Sequence, residues 1–491
     1  MDNHVRPLVH GAVYFRELLT AVEAMEAGDT LLFTDWRGDP DQQLDGPGTD
    51  VGTVFAGAAA RGVRVSGLVW RSHLDRFQFS ASENRHLGAE IEAAGGQCLL
   101  DMRVRPMGSH HQKLVVLRHP HHPERDVAFI GGIDLCHSRR DDAQHNGDPQ
   151  PQPMAAAYGS RPPWHDIQLA VRGPAVGDAE TVFRERWEDP SPLSRNPFAL
   201  LGERLRSQDR TARPLGRQLP DPPAAGTQAV QLLRTYPARR FGYPFAPDGE
   251  RSVARGYAKA MSRARSLIYV EDQYLWSAEV VGIFAEALKR EPSLRLIAVI
   301  PGLPDQDGRL SRPPNLAARE PALRLLRQAG GPRFGIYWLE NQAGTPIYVH
   351  AKVCVVDDIW SSVGSDNVNR RSWTHDSELS CAVLDLDAAN GTSQTWGRSL
   401  RRELSEEHLG RALSDEEAGD PIRTFDLFAE CAHDLEAWHR SGRSAPRPPG
   451  QLRPYTQQSQ PPRTRRWADP MSRLLYDPDG RSRRMRRGHA F

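Results

Sequence analysis

Two copies of the pattern His-x-Lys, 239 residues apart, constrain the fold of this 491-residue chain more than any other feature. They are His111-Gln112-Lys113 and His350-Ala351-Lys352. Lysine is otherwise scarce, since Lys259 and Lys289 complete the set and all other basic charge is arginine. Where arginine is the default cation, a retained lysine indicates a place that needs a compact ammonium group. Two such places, one domain length apart, predict an internal duplication.

The segments before the two patterns both alternate helix and strand. Apolar periodicity predicts, in the first half, residues 14–25 (helix), 29–33 and 67–70 (strands) and 89–94 (helix). In the second half it predicts 253–264 (helix), 267–270 (strand), 280–289 (helix) and 294–300 (strand). Lys113 and Lys352 are each followed by an apolar run. Both halves therefore predict an α/β lobe, in which helices cover a sheet.

Composition excludes several other classes of protein. Hydrophobic residues make up 39% of the chain, and no apolar stretch approaches the roughly 20 residues of a membrane span. Residues 1–10 include charged side chains and no apolar segment, so no secretory signal is expected. The five cysteines are odd in number and include no Cys-x-x-Cys pair. We expect a soluble, reduced, cytoplasmic protein that can act at the periphery of a membrane.

A His-x-Lys pattern at the start of a strand places both side chains on one face, because strand side chains alternate. A single copy is most often an incidental strand edge, but two copies in equivalent places favour a site. If the halves pack about a pseudo-two-fold axis, two histidines and two lysines converge in one crevice. Two imidazoles can divide nucleophilic attack from protonation of a leaving group, and two ammonium groups can bind the oxygens of a phosphoryl centre.

These residues resemble the phospholipase D superfamily. The second copy, with Asp357 and then Gly364-Ser365-Asp366-Asn367, matches the HKD signature of that superfamily. The first half is similar to the phospholipases D proper through His110 to Lys113 and Phe129-Ile-Gly-Gly-Ile-Asp-Leu135. Further blocks of resemblance are Pro163-Trp164-His165-Asp166, residues 268–274 and Glu407-His408-Leu409-Gly410. The resemblance covers about residues 10–440, and its flanking blocks favour lipid-type over nuclease-type members.

The resemblance implies two duplicated α/β/α sandwich lobes that form a pseudo-dimer, with one active site at their interface. It implies that His111 attacks phosphorus to form a phosphohistidine. His350 would protonate the departing alcohol and then activate water or an acceptor alcohol. In the family an acidic residue further along each half orients the histidine of that half, and by position Asp166 and Glu378 fit.

The resemblance also implies the phosphate-binding residues. Lys113, Lys352 and Asn367 would bind the phosphate oxygens. By motif position, Asp357 belongs to the catalytic signature, and Asp134, Ser365 and Gly132 belong to the substrate side of the site. No metal and no cofactor are expected, because the lysines already supply positive charge.

The first motif departs from the family pattern five residues after its lysine. The family has an aspartate there, largely as a support for the fold, whereas this chain has Arg118. We interpret residues 119–126 as a lengthened hairpin in which Asp126 takes over that structural role; the alternative is a half-disabled site. The histidines of this segment are interpreted as a solvated hairpin tip rather than a metal site.

The predicted organisation has four parts: an N-terminal lobe at 1–188, a Pro/Arg-rich linker at 189–228, a C-terminal lobe at 229–440 and an Arg-rich tail at 441–491. The net charge of +1 hides an uneven distribution, because residues 1–440 carry −8 and the tail carries +9. The default interpretation of the tail is a solvated disordered extension. The alternatives are docking on anionic lipid and a strap that its apolar residues hold on the catalytic body.

The resulting hypothesis is a phospholipase D that hydrolyses or transphosphatidylates the head-group phosphodiester of glycerophospholipids. Its substrate would lie in a membrane surface or micelle, the protein would act as a monomer, and nucleic acid is not an expected partner. The alternatives among enzymes are a cardiolipin-synthase-like phosphatidyltransferase and a nucleic-acid phosphodiesterase. The alternative outside enzymes is a catalytically weak lipid-binding module, motivated by Arg118 and the basic tail.

Overall fold

The computed structural model describes residues 1–72, 81–196, 211–385, 395–458 and 460–487, and contains two β-sheets. The first sheet has seven strands in the order β1-β8-β6-β5-β2-β3-β4. Their bounds are β1 His4–Val9, β2 Thr30–Asp35, β3 Arg64–Trp70, β4 Gln97–Asp101, β5 Leu114–Arg118, β6 Val127–Gly131 and β8 Ile167–Arg172. The short strand β7 (Trp164–His165) leaves this lobe and joins the edge of the second sheet.

The second sheet has eleven strands and contains a complete copy of the first. Its strands are β7, β9 Ala229–Tyr236, β10 Glu250–Arg251, β11 Leu267–Glu271, β12 Arg295–Val299, β13 Phe334–Glu340, β14 Pro346–Val349, β15 Val353–Val356, β16 Trp360–Gly364, β17 Glu378–Leu384 and β18 Leu452–Pro454. Seven of them lie in the order β9-β17-β16-β15-β11-β12-β13. In both sheets the last three strands of this order are parallel and the remaining neighbours are antiparallel. The predicted duplication is therefore confirmed strand by strand.

Helices cover the outer faces of the sheets and fill the layer between the lobes. They are α1 Gly11–Glu23, α2 Val51–Ala60, α3 Ala81–Ala93, α4 Ala175–Trp187, α5 Ser252–Met261, α6 Ala278–Arg290, α7 Arg312–Gly330, α8 Arg370–Thr374, α9 Trp396–Leu409, α10 Asp415–Gly419, α11 Pro421–Arg440, α12 Pro462–Met471 and α13 Arg483–Arg487. Among the described residues no helix is long and apolar enough to cross a membrane.

The hydrophobic core has an outer part in each lobe and a central part shared by both. On β2, Leu31 and Phe33 pack outward, whereas Leu32 lies in the central part. On β11, Ile268 packs outward and Tyr269 lies in the same central part as Leu32. Alternation along each strand thus divides its side chains between the two faces. Because the central core includes both sheets, the lobes form one body.

The described part of the tail is packed on the second lobe, so the default interpretation of a disordered extension is wrong for it. Strand β18 pairs antiparallel with β13, and helix α12 packs against α7. Asp477 is buried, and its Oδ1 accepts a hydrogen bond from the backbone N–H of Arg371 at 2.7 Å. The Arg481 guanidinium is buried and donates to Glu279. Residues 488–491 lie outside the described residues.

The predicted linker is described at 189–196 and 211–228, and residues 197–210 lie outside the described residues. Its described parts contact the first lobe. Trp187 Nε1 donates to the carbonyl of Arg213 at 2.8 Å, and Arg118 donates to the carbonyl of Pro220 at 2.6 Å. This segment therefore follows the surface of the first lobe in the described parts.

Candidate active site

The two His-x-Lys segments lie immediately before strands β5 and β15, which are equivalent strands of the two sheets. The backbone of each segment is held by the other lobe. The His111 N–H donates to the Ser377 carbonyl at 2.9 Å. The N–H groups of His350 and Ala351 donate to the His165 carbonyl at 2.8 and 3.1 Å. Each acceptor directly precedes a carboxylate that the sequence singled out.

Each histidine is paired with the carboxylate of the opposite lobe. His111 Nδ1 lies 2.8 Å from Glu378 Oε2, and His350 Nδ1 lies 2.6 Å from Asp166 Oδ2. Both carboxylates are fully buried. The structure brings together the four residues that the sequence analysis named, but in a different pairing, since each acidic residue was expected to orient the histidine of its own half. The pairs cross because each sheet brings its His-x-Lys to the lobe interface, where the nearest carboxylate belongs to the other lobe.

The two lysines are buried beside these pairs. Lys113 Nζ donates to the His111 carbonyl at 2.9 Å and lies 3.3 Å from Asp134 Oδ1. Lys352 Nζ donates to Gln273 Oε1 at 3.2 Å and to the carbonyl of His350. Burial, followed by the charge of Lys113, lowers the pKa of Lys352 to about 8. An ammonium held in this way is ready to bind an anion that replaces its lost hydration.

Both lysines lower the pKa of both imidazoles. Burial and then Lys113 hold the pKa of His111 well below its ordinary value, and Lys352 of the other lobe also lowers it. Burial and then Lys352 hold the pKa of His350 well below its ordinary value, and Lys113 contributes there in turn. Each motif therefore lies within electrostatic range of the other at the lobe interface.

The carboxyl partners complete the electrostatics of the pocket. Burial, and next the charge of Asp376, raise the pKa of Glu378 to about 8. Burial also raises the pKa of Asp166. A carboxylate on Nδ1 fixes the tautomer of a histidine and directs Nε2 toward the pocket. The arrangement can therefore supply one imidazole for nucleophilic attack and a second for proton transfer.

Two of the predicted substrate-side residues support Glu378 and Asp166 instead. Ser365 Oγ donates to Glu378 Oε2 at 2.6 Å. A Cβ at Gly132 would lie 2.3 Å from Asp166 Oδ1, so a side chain there would displace that carboxylate. Asp134 pairs with Lys113, and Asn367 is buried with no hydrogen bond to its Oδ1 from any residue that the structure describes. Because Oδ1 can only accept, Asn367 would bind a phosphate oxygen through its Nδ2 amide group.

Asp357 lies away from these pairs and supports the fold. Its carboxylate accepts backbone N–H bonds from Arg265, Ser266 and Leu267 at 2.8, 2.8 and 3.0 Å, at the start of β11. The structure therefore does not bring Asp357 to the site, and its assignment to the catalytic set is corrected to a structural role.

Arg118 takes the position in the first lobe that Asp357 has in the second, but with different contacts. Its Nε lies 3.1 Å from Asp126 Oδ2 and 3.3 Å from Glu180 Oε2. Asp126 Oδ1 accepts from the His119 N–H at 2.6 Å. Asp126 therefore supports the lengthened hairpin, as predicted, although it does not reproduce the contacts of Asp357 with the neighbouring strand.

The sequence reasoning missed two buried residues of the pocket. Asp35, at the end of β2, accepts from the Leu135 N–H at 2.8 Å, and burial and the charge of Asp134 raise its pKa well above its ordinary value. It is the repeat equivalent of Asp272, so aligning the two halves along their strands would have found it. Arg139 lies 4.0 Å above the Trp164 ring and 3.7 Å from Asp134. No sequence motif predicted Arg139 as a third cation of the site.

Aromatic rings form the wall around both histidines. The Trp164 ring lies 4.9 Å from the imidazole of His350, and the Trp36 ring lies 6.2 Å from that of His111. Trp36 stacks on Trp70 at 5.5 Å. These rings present apolar surface beside the cationic side chains, which suits a substrate with both kinds of group.

The fold and site define a duplicated α/β protein with one composite histidine–lysine pocket. Family models agree with this: residues 41–213 match a phospholipase D model, and residues 257–396 match a model of the cardiolipin synthase, PLD-like domain. The chain belongs to the phospholipase D superfamily.

Individual relatives are more distant. Phospholipase D alpha 1 of Cynara cardunculus is 25% identical over 83% of this chain and 65% of its own length. Phospholipase D alpha 1 of Arabidopsis thaliana is 27% identical over 78% of this chain and 61% of its own length. The chain thus spans less than two thirds of these relatives. Phosphatidylserine synthase of Haemophilus influenzae Rd KW20 has the same fold, with a TM-score of 0.55, 11% identity and coverage of 96% of this chain and 94% of that protein.

Proposed function

We propose that this protein is a phospholipase D that transfers the phosphatidyl group of a glycerophospholipid to water or to an alcohol. The observation that carries the proposal is the crossed pair of histidine–carboxylate contacts, with a buried lysine beside each histidine. Lipid substrates are favoured over polynucleotides because the pocket combines cations with aromatic walls, and because the body without its tail is acidic. A single chain suffices, since both halves of the site come from it.

In the proposed reaction one imidazole Nε2 attacks phosphorus and the bond from phosphorus to the head-group oxygen breaks. The other imidazole donates its proton to that oxygen. Lys113, Lys352, Asn367 and Arg139 stabilise the charge on the non-bridging oxygens. Water or an alcohol then gives its proton to the second imidazole and attacks phosphorus, and the bond from phosphorus to the first imidazole breaks, which releases phosphatidic acid or the exchanged lipid. In-line displacement suits two histidines that come from opposite lobes.

The order of the two histidines is open to a direct measurement. The resemblance assigns attack to His111, whose side chain is 15% exposed against 7% for His350. The pKa of Glu378, at about 8, instead favours a His111–Glu378 pair that keeps its extra proton near neutral pH and donates it. Mapping the covalent adduct distinguishes these two orders.

The first experiment incubates the purified protein with phosphatidylcholine vesicles, with and without ethanol, and measures choline and phosphatidylethanol. We expect both products, and a loss of at least about a hundredfold in His111→Ala and His350→Ala. His122→Ala, at an exposed histidine, is the matched control. The proposal fails if neither product forms while both active-site variants match the wild type in every diesterase assay.

The second experiment traps the adduct. A phosphodiester with a p-nitrophenol leaving group needs little acid assistance, so the variant that lacks the acid should still form a phosphohistidine. The variant that lacks the nucleophile should form none. Mass spectrometry of acid-labile phosphopeptides identifies the attacking residue. Absence of an adduct in both variants and in the wild type would contradict the covalent mechanism.

A phosphatidyltransferase is the second candidate. It is favoured by the match of residues 257–396 to the cardiolipin synthase, PLD-like domain and by the fold shared with a phosphatidylserine synthase. Competition between water and glycerol, serine or phosphatidylglycerol as acceptors distinguishes the two. A transferase should give the exchanged lipid as the main product at millimolar acceptor, whereas a hydrolase should give mainly phosphatidic acid.

A further inference from the structure

Behind the His350–Asp166 pair lies a second cluster of buried polar side chains that the proposed chemistry does not use. Three histidines of the first lobe surround one carboxylate of the second lobe: His10, His145, His165 and Glu407. We call this set the lobe-interface cluster. Its histidine side chains are 0–3% exposed and its carboxylate is 13% exposed. Burying four polar side chains together costs free energy unless a partner satisfies them, so the cluster needs a physical explanation.

The cluster has the dimensions of a metal site. Glu407 Oε2 lies 2.8 Å from His10 Nε2, and Glu407 Oε1 lies 3.1 Å from His145 Nε2 and 3.2 Å from His165 Nδ1. The four candidate ligand atoms all lie within 4.8 Å of one another. The imidazole centroids are 4.8, 5.2 and 5.8 Å apart. Three imidazoles on a tetrahedral zinc ion, with bonds of about 2 Å, have centroids about 5 Å apart.

Among the described residues, hydrogen bonds to Glu407 satisfy His10 Nε2 and His145 Nε2 but not His165 Nδ1. His165 uses Nε2 for Glu271, at 2.7 Å. Its Nδ1 faces Glu407 Oε1 at 3.2 Å without the alignment of a hydrogen bond and has no hydrogen-bond partner in the described part of the chain. If His165 is neutral, its Nδ1 lone pair points at a carboxylate oxygen. Either His165 is a buried imidazolium, or a cation lies between these atoms.

The surroundings have the outer partners that metal-binding histidines use. Glu271 holds His165 from behind, and its other oxygen accepts from His408 Nε2 at 2.8 Å and from the Tyr269 hydroxyl. Asp141 Oδ2 lies 3.7 Å from His145 Nδ1. A carboxylate behind a ligating histidine fixes its tautomer and raises its basicity.

We propose that the lobe-interface cluster binds one zinc ion through four ligands: His10 Nε2, His145 Nε2, His165 Nδ1 and one oxygen of Glu407. Four protein ligands that leave no open position, closed to solvent, make this a structural rather than a catalytic zinc site, although cysteine is the more frequent ligand in structural sites. The ion clamps helix α9, which carries Glu407, to the first lobe. It also fixes the backbone of His165, whose carbonyl accepts the N–H groups of His350 and Ala351. Its role is to hold the two lobes in register.

The test measures metal directly and does not depend on lipid turnover. Untagged protein is expressed with zinc and its metal content is determined by inductively coupled plasma mass spectrometry. We expect about one zinc ion per chain in the wild type and in His122→Asn, an exposed-histidine control. His145→Asn should retain less than about a tenth of that. Because the site is closed, removal by a chelator should need mild denaturant, and refolding with zinc should give a higher Tm than refolding with chelator.

A second readout covers the case in which His145→Asn does not fold. Wild-type protein refolded with cobalt should show the visible absorption of tetrahedral Co²⁺, at one ion per chain. The proposal is overturned if the wild type contains no transition metal, gains no Tm on refolding with zinc and shows no tetrahedral cobalt spectrum. That result would identify the cluster as ion pairs between Glu407 and protonated histidines. Failure of the lipid assays would leave the zinc measurement unaffected.

Discussion

Replacing Lys352 by methionine tests whether this lysine is required for turnover while it lowers the stability of the folded protein. The side chain is 2% exposed, and its ammonium group donates to Gln273 and to the carbonyl of His350. Methionine has a similar length and no charge. We therefore expect Lys352→Met to lose at least about a hundredfold in turnover and to unfold less readily at neutral pH than the wild type.

The magnitude follows from the pKa. A fall from the ordinary value of 10.5 to about 8 corresponds to about 3 kcal/mol of unfavourable folding free energy at pH 7. The variant also loses two hydrogen bonds, each of about 1 kcal/mol. The net gain in stability is about 1 kcal/mol. Because the pKa is lower in the folded protein, the penalty is complete below pH 8 and disappears as pH rises toward 10.5, so the variant should become less stable than the wild type near pH 10.

The assay is urea unfolding of both proteins at pH 7 and pH 10, followed by circular dichroism. Lys259→Met is the matched control, because Lys259 is exposed on helix α5 and its replacement should change stability by no more than about 0.5 kcal/mol. A destabilised Lys352→Met at pH 7, or a difference from the wild type that is the same at both pH values, would refute the reasoning.

Three further predictions concern the residues that support the site and the packing of the tail. Glu378→Gln and Asp166→Asn should each lower kcat by a hundredfold or more, with little change in KM, because the paired histidine loses its tautomer; steady-state kinetics with a soluble phosphodiester checks this. Gly132→Ala should abolish activity by displacing Asp166, whereas Gly282→Ala, on helix α6 with open space around it, should keep activity and Tm. Arg481→Ala should release the tail, so that limited proteolysis cuts within 441–491 faster while the body remains intact.

Local patterns in the sequence predicted the duplication and the two His-x-Lys segments, and the resemblance to the family added Asp166 and Glu378. Hydrophobic periodicity indicates the repeat of helix and strand, and the residue types themselves identify the His-x-Lys segments and the blocks that follow them. The crossing depends on which sheet edges meet, and the sequence spacing of Asp166 or Glu378 carries no information on that. Arg139 was missed for the same reason, because its place above Trp164 depends on a loop.

The tail shows a different limit of sequence reasoning. Its twelve arginines predicted solvation, but the charge of an arginine does not prevent burial when a carboxylate is available at the packing surface. Arg481 meets Glu279, and Asp477 accepts from Arg371 of the body. The acidic excess of residues 1–440 and the basic excess of the tail are thus partly complementary charges within one folded unit. Composition shows the acidic excess of the body and the basic excess of the tail, but not the contacts between the two.

The crossing of the pairs has a consequence for how such a site is maintained. His111 depends on Glu378 and on the Ser377 carbonyl, and His350 depends on Asp166 and on the His165 carbonyl, so neither lobe holds an oriented imidazole by itself. A shift between the lobes would therefore lengthen both contacts at once. This explains why a central core shared by both sheets is needed for the chemistry as well as for stability. It also gives a reason for the lobe-interface cluster, since a clamp at Glu407 would act at the boundary where a small displacement would cost both histidines their orientation.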